Sequence, residues 1–239
     1  MITIKKNIKK FVGLTNIISS VSEETNYEFS KDGLFIRFAH PSGFTLGLVK
    51  LKIDFFDEYK IKEDIVICIN NEMFNKIIKK LAKKEIQIEI NNNGSEIKCI
   101  SGKSSFELKT YSIPADERPV PTPEYDSIWD INTLDFFTLI TEHKEFSDVA
   151  CFETKGNELK TVIKSNMISG EIFTTAKPIK QNDIKAYYDI GMLSMILCIK
   201  DYFENVIFSF GADAPCNIKY NDNEINFEWF LAPRINNDE

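Results

Sequence analysis

Apolar residues recur at helical spacing in four short stretches, about 7–20, 72–84, 133–146 and 191–203, and alternate with polar ones through most of the remaining chain. These stretches predict four helices whose starts are separated by 65, 61 and 58 residues, a period that implies a repeated unit. Between them, Glu85–Ile90, Phe106–Tyr111, Val206–Phe210 and Ile225–Phe230 alternate as strands do. Asn26–Ile36 places a strand, a turn at Gly33 and a second strand after the first helix, and Ala150–Val162 repeats that order around Gly156 after the third. Both glycines suit turns that need positive φ. Pro114–Tyr125 carries four prolines, which lack the amide donors of a sheet ladder and favour extended backbone. The pattern predicts an α+β fold of two similar domains, residues 1–113 and 128–239, joined by a connecting loop at 114–127. Each domain is expected to pack two helices on antiparallel sheets.

The polar faces of these helices differ between the two halves. In the second helix Met73, Phe74, Ile77, Ile78 and Leu81 form the predicted apolar stripe, and Lys76, Lys79, Lys80, Lys83 and Lys84 crowd the opposite side. Lys9 and Lys10 open the first helix, where Phe11, Leu14, Ile17 and Ile18 are expected to face inward. A lysine face is ordinarily just a solvated face, but here two helices at equivalent places in the repeat share it, which points to phosphate. The third helix offers Leu134, Phe137 and Ile140 to the core, with Thr138, Thr141, Glu142, His143 and Lys144 elsewhere. The fourth sets Met192, Met195, Ile196 and Ile199 against Ser194, Cys198 and Lys200. Any nucleic-acid surface is therefore lopsided.

Charge sharpens that asymmetry. Residues 1–113 hold 18 basic and 14 acidic side chains, net +4, and residues 114–239 hold 11 and 22, net −11, which together give the −7 of the whole chain. The basic residues are 26 Lys against 3 Arg. Base readout in the major groove relies largely on bidentate Arg, whereas Lys supplies sequence-independent attraction to phosphate, so the expected ligand is DNA contacted without base preference. No uninterrupted apolar run reaches the roughly 18 residues of a membrane span, and no leader with an apolar core is expected. A cytosolic or nuclear setting fits.

Five isolated cysteines, Cys68, Cys99, Cys151, Cys198 and Cys216, read as buried reduced thiols, and His40 and His143 have no second ligand at metal spacing. No metal or cofactor is expected. The chain has no Gly-x-Ser-x-Gly elbow and no glycine-rich phosphate loop, and the carboxylates Asp54, Asp57 and Glu58 read as surface. An enzyme on a β-rich two-domain scaffold is the remote alternative. Ser104–Tyr111 and Met167–Thr175 are expected to be edge strands open to pairing with another chain, through Phe106 and Leu108 on the first and Ile172 and Phe173 on the second.

Several short segments resemble DNA sliding clamps of the archaeal and eukaryotic type, the proliferating cell nuclear antigen (PCNA) family. They are Asp32-Gly33-Leu34, Pro41-Ser42-Gly43-Phe44-Thr45-Leu46, Phe56-Asp57-Glu58-Tyr59, Gly211-Ala212-Asp213-Ala214-Pro215-Cys216 and Phe230-Leu231-Ala232-Pro233-Arg234-Ile235. Each is weak alone; their order along the whole chain, with the four-helix repeat and the proline-rich connector, is specific. The resemblance implies a ring of three subunits whose helices line a hole around duplex DNA, opened by a clamp loader. It also implies a pocket at Ala39, Phe44, Leu46, Val120, Pro121, Pro215, Phe230, Leu231, Ala232 and Pro233 for a short peptide borne by DNA polymerase, flap endonuclease and ligase. The chain departs from the family at His40 and Gly43, where an acidic residue and a bulkier neighbour are common. It departs again at Thr138 and Cys198, near places that usually supply Arg or Lys. Homotrimer and heterotrimer both remain open, as does a specialised clamp paralogue with restricted clients.

Overall fold

Side-chain caps fix where three of the four helices begin. Asn70 Oδ1 accepts the Met73 N–H at 3.0 Å, Asn132 Oδ1 accepts the Leu134 N–H at 3.0 Å, and Asp189 Oδ1 accepts the Met192 N–H at 2.9 Å. The first helix has no such cap, because Asn7 turns its amide to Phe55 O at 2.8 Å and Glu224 Oε2 at 3.0 Å. The computed structural model describes residues 1–114, 118–164 and 167–235, so Ala115–Glu117 of the connecting loop lie outside the described residues.

The chain divides into two units. The first comprises Met1–Arg118 with Asn221–Phe227, and the second comprises Pro119–Tyr220 with the chain from Glu228 on. A split into two continuous halves misses the piece from Asn221 to Phe227. It belongs to the first unit because Lys52 donates its backbone N–H to Glu224 O at 2.9 Å and its ammonium to Asp222 O at 2.6 Å.

In the first unit the order is β1 (Ile2–Ile4), α1 (Ile8–Val21), β2 (Glu24–Ser30), β3 (Gly33–Ala39), β4 (Thr45–Lys52), β5 (Glu58–Tyr59), β6 (Ile65–Asn70), α2 (Asn71–Leu81), β7 (Ile86–Asn91), β8 (Glu96–Ser101) and β9 (Ser104–Lys109). Five strands run β5-β1-β7-β8-β9, and β4-β3-β2-β6 form a second antiparallel group. Gly33 turns the β2–β3 hairpin at φ 125°, and a Cβ there would lie 2.1 Å from Leu51 O, so only glycine fits. The core between sheets and helices holds Phe11, Leu14, Ile17, Tyr27, Phe55, Phe74 and Ile78, with Phe11 and Phe74 meeting edge to face at 6.2 Å.

The second unit repeats the plan with β10 (Ser127–Asn132), α3 (Thr133–Lys144), β11 (Val149–Lys155), β12 (Glu158–Lys164), β13 (Ser169–Thr174), β14 (Ala176–Lys180), β15 (Ile184–Asp189), α4 (Ile190–Ser194), β16 (Asn205–Gly211), β17 (Ala214–Asn221) and β18 (Ile225–Leu231), the last two without the residues of Asn221–Phe227. Its strands run β14-β10-β16-β17-β18 and β13-β12-β11-β15. Gly156 turns the β11–β12 hairpin at φ 55°. Phe136, Phe152, Phe208 and Phe210 stack through its centre, with Phe152 and Phe208 ring centroids 4.8 Å apart.

Three expectations about the helices need correction. The fourth helix, expected over 191–203, is a five-residue α-helix followed by a 3-10 segment at Leu197–Asp201. Ile190, Leu193, Ile196 and Ile199 are the buried positions, a spacing of three. A 3-10 turn keeps such residues on one face, whereas an α-helix rotates them away by about 60° per step. Leu193, rather than Met192 or Met195, therefore enters the core. In α2, Asn71 and Asn75 are buried while Met73 is exposed and Ile77 is half-buried. Asn71 is held inside by hydrogen bonds to Ser22 O, Thr25 Oγ1 and Tyr27 Oη. In α3, Leu134 is 58% exposed, and Phe136, Leu139 and His143 join Phe137 and Ile140 inside.

Candidate nucleic-acid interface

The cationic face is built by α1 and α2 packing along a polar seam. Asn75 Nδ2 donates to Ser19 Oγ at 2.9 Å and to Asn16 Oδ1 at 3.3 Å, and Thr15 Oγ1 donates to Asn75 Oδ1 at 3.2 Å. Lys79 reaches across to Asn16 Oδ1, and Lys76 pairs with Glu72 one turn back. Lys9, Lys80, Lys83 and Lys84 are exposed, with no carboxylate in ion-pair range among the described residues. The helix ends at Leu81, where Ala82 leaves helical backbone at ψ 58° so that Ile86 can enter β7 fully buried. Lys83 and Lys84 thus project from the turn after the helix rather than from its face.

Lys10 is placed differently from its expected role. Its ammonium lies 3.6 Å from Glu224 Oε2 and 4.0 Å from Asp222 Oδ2, while Lys6 lies 2.9 Å from Glu224 Oε1. Burial pushes the Glu224 carboxyl up, but hydrogen bonds from Lys6 and Asn7 and the charges of Lys6 and Lys10 outweigh it and hold it below the usual carboxylate range. This lysine pair fastens α1 to the Asp222–Glu224 turn, so Lys10 is half-committed to structure.

In the second unit the exposed side of α3 presents Leu134, Asp135, Thr138, Thr141, Glu142 and Lys144. Lys200 and Asp201 are exposed in the 3-10 segment after α4. His143 is fully buried: Nε2 donates to Val149 O at 2.8 Å, Nδ1 has no partner among the described residues, and burial lowers its pKa. It is a neutral core residue that anchors the end of α3.

The two expected interface strands each terminate a sheet, β9 after β8 and β13 after β12. Phe106 and Phe173 are exposed, the latter by 56%, and Leu108 and Ile172 are half-buried. Lys160 lies beneath this edge, 2.6 Å from Glu171 and 5.5 Å from the Phe173 ring centroid.

The expected peptide-pocket residues separate by burial. Phe44 tips the β3–β4 hairpin at 59% exposure, on a loop where Ser42 and His40 Nδ1 lie 2.7 Å apart and Gly43 donates to His40 O. Ala39 is half-buried and Leu46 is buried in the same unit. In the second unit Val120 is exposed and Pro121, Pro215, Ala232 and Pro233 are half-buried. Phe230 and Leu231, at 5% and 1% exposure, are core residues and cannot be contact side chains at an open surface. The tail after them is tied down by a residue that sequence reasoning passed over: the Arg234 N–H donates to Tyr187 O at 2.7 Å, and its guanidinium lies 3.3 Å from Asp189 Oδ2.

All five cysteines are free thiols, and burial pushes Cys99 up to about 12. Cys198 is only half-buried, unlike the other four, because its 3-10 segment turns it off the core face.

No family model matches the chain. The DNA polymerase sliding clamp of Pyrococcus furiosus is 24% identical over 246 residues, covering 95% of each chain. That of Methanothermobacter thermautotrophicus is 22% identical over 226 residues, covering 93% of each. Among solved structures, the PCNA2-PCNA3 complex from Sulfolobus tokodaii matches with a TM-score of 0.87 at 20% identity over 98% of both chains. PCNA from Entamoeba histolytica matches at 0.88 and 19% identity over 98% of both. A. fulgidus PCNA carrying the C-terminal region of FEN-1 matches at 0.87 and 18% identity over 99% of both. The chain is thus similar along almost its whole length to curated DNA polymerase sliding clamps and shares its fold with solved PCNA structures.

Proposed function

We propose that this chain is a subunit of a ring that encircles duplex DNA and tethers the enzymes working on it. The observation that carries the reading is the set of lysines on and after α1 and α2, Lys9, Lys80, Lys83 and Lys84, exposed and without carboxylate partners among the described residues. Such cations attract phosphate without reading bases, as a clamp that slides must. In the ring, the open edge of β9 in one subunit pairs with β13 of the next. Clients such as polymerase, flap endonuclease and ligase dock by a short peptide at the exposed Phe44 hairpin and at the connector and tail, and a clamp loader opens the ring. The clamp does no chemistry of its own; it raises the local concentration of each client at DNA.

A second reading, a mixed ring or a specialised paralogue, is favoured by the exposed surface of α3, where Asp135 and Glu142 face solvent and Lys144 is the only exposed cation of that helix. Such a subunit would draw on more basic neighbours. Loading the protein on nicked circular DNA tests the main reading. A topological tether stays on the circle through a high-salt wash and leaves when the DNA is linearised, whereas an ordinary DNA binder leaves in salt from both forms. Light scattering separates the two versions: a trimer from this chain alone supports a uniform ring, and a monomer supports a mixed one.

A further inference from the structure

The tail that follows β18 is positioned by a carboxylate with two tasks. Asp189 ends β15, the terminal strand of its sheet, and Oδ1 caps α4 by accepting the Met192 N–H at 2.9 Å. Its Oδ2 receives the Arg234 guanidinium at 3.3 Å, while the Arg234 N–H closes on Tyr187 O, on the edge of β15 that no other strand uses among the described residues. Ala232 and Pro233, immediately before this anchor, are half-buried, and Ile235, immediately after it, is 88% exposed. Within the described tail, the partly buried residues thus end at Pro233, next to the Arg234 contacts.

We propose that Arg234 is a positioning residue for client binding: through Asp189 it holds Ala232 and Pro233 as a preformed rim, so that an incoming peptide meets an ordered tail. This rests on the reading of the tail as a client surface. A loose tail must be ordered during binding, and that lost freedom subtracts from affinity; an anchored tail has already been ordered by folding. The ion pair is partly solvated, with side-chain exposures of 48% for Arg234 and 29% for Asp189. Its contribution is therefore of the size seen for exposed pairs, roughly a threefold change in affinity, and it weakens with salt.

Calorimetry tests this with a synthetic peptide carrying a glutamine, an aliphatic residue and two nearby aromatics, the client segment that the sliding-clamp resemblance implies. The proteins are the wild type, Arg234→Ala, Arg234→Lys, Asp189→Asn and the Arg234→Ala/Asp189→Asn double variant. Asn keeps an oxygen for the α4 cap and removes only the charge that holds Arg234. Each of Arg234→Ala and Asp189→Asn should weaken the peptide about threefold, the double variant should be no weaker than either, and Arg234→Lys should recover most of the loss. Unchanged affinity in both single variants, or losses that add in the double, would overturn the proposal. A wild type that binds no such peptide instead removes the client reading of the tail. The anchor is then judged by amide exchange at Arg234 without peptide: faster exchange in Asp189→Asn supports it, and equal exchange overturns it.

Discussion

The Lys6 ammonium lies 2.9 Å from the Glu224 carboxylate, which joins the turn before α1 to the turn before β18. Glu224 is held below its usual pKa in the folded chain, because burial, which raises it, is outweighed by the hydrogen bonds from Lys6 and Asn7 and by nearby ammonium charge. A depressed carboxylate stabilises the fold fully above its unfolded value, about 4.3, and the contribution disappears as pH falls through the folded value. Glu224→Gln should therefore melt at lower temperature than the wild type near pH 7, and the gap should close as melts are taken from pH 5 towards pH 3. Parallel curves across that window would show that the pairing contributes nothing.

Lysines that share a helix end should behave differently when reversed. Glu at Lys80, Lys83 and Lys84 together should leave the melting temperature nearly unchanged, since exposed positions usually shift stability by no more than about 0.5 kcal/mol. The same variant should load poorly on DNA, and its salt dependence should be shallower, by about 0.9 in log–log slope for each phosphate it no longer neutralises. Lys10→Glu should instead destabilise the fold, because it places a third acidic group beside Asp222 and Glu224. Equal loading by the triple variant at low salt would reduce the lysine face to a solubility feature.

Edge strands carry the assembly prediction. Leu108→Asp on β9 or Ile172→Asp on β13 places a charge where an apolar contact between subunits is proposed, while both residues are only half-buried within the chain. Either change should move the mass seen by light scattering from trimer towards monomer at low micromolar concentration, with the melting profile of the monomer intact. A trimer that survives both substitutions would place the contact elsewhere.

The first three helices were legible because their burial follows a 3.6-residue period; the Asn70 and Asn132 caps that fix where α2 and α3 begin come from the structure. The fourth was not, because Ile190, Leu193, Ile196 and Ile199 recur every third residue, a spacing that looks like a damaged α-helix until the backbone is seen to tighten. Hydropathy also placed Met73 inside, where the structure instead buries Asn71. Asn71 is inside because Ser22, Thr25 and Tyr27 together satisfy its side chain, and partners from a distant part of the chain leave no mark on local periodicity. Lys10 failed as a simple surface cation for the same reason, since its carboxylates lie at the far end of the chain. The edge strands, by contrast, were placed from the equivalence of the two halves of the chain, and β9 and β13 do lie at sheet ends.

Burial also decides which peptide-pocket residue can be tested cleanly. Leu231 is 1% exposed, so Leu231→Ala leaves a cavity and should cost about 2–5 kcal/mol of stability, and any loss of client binding in it would report on folding. Phe44 is 59% exposed at a hairpin tip that the core does not need. Phe44→Ala should leave melting and assembly unchanged while weakening a client-type peptide about tenfold, because desolvated aromatic anchors concentrate interface energy. Calorimetry on these two variants beside their melting curves separates the causes. A Phe44→Ala protein that keeps wild-type affinity would remove the hairpin tip from the client surface, since no stability change is available to mask the result.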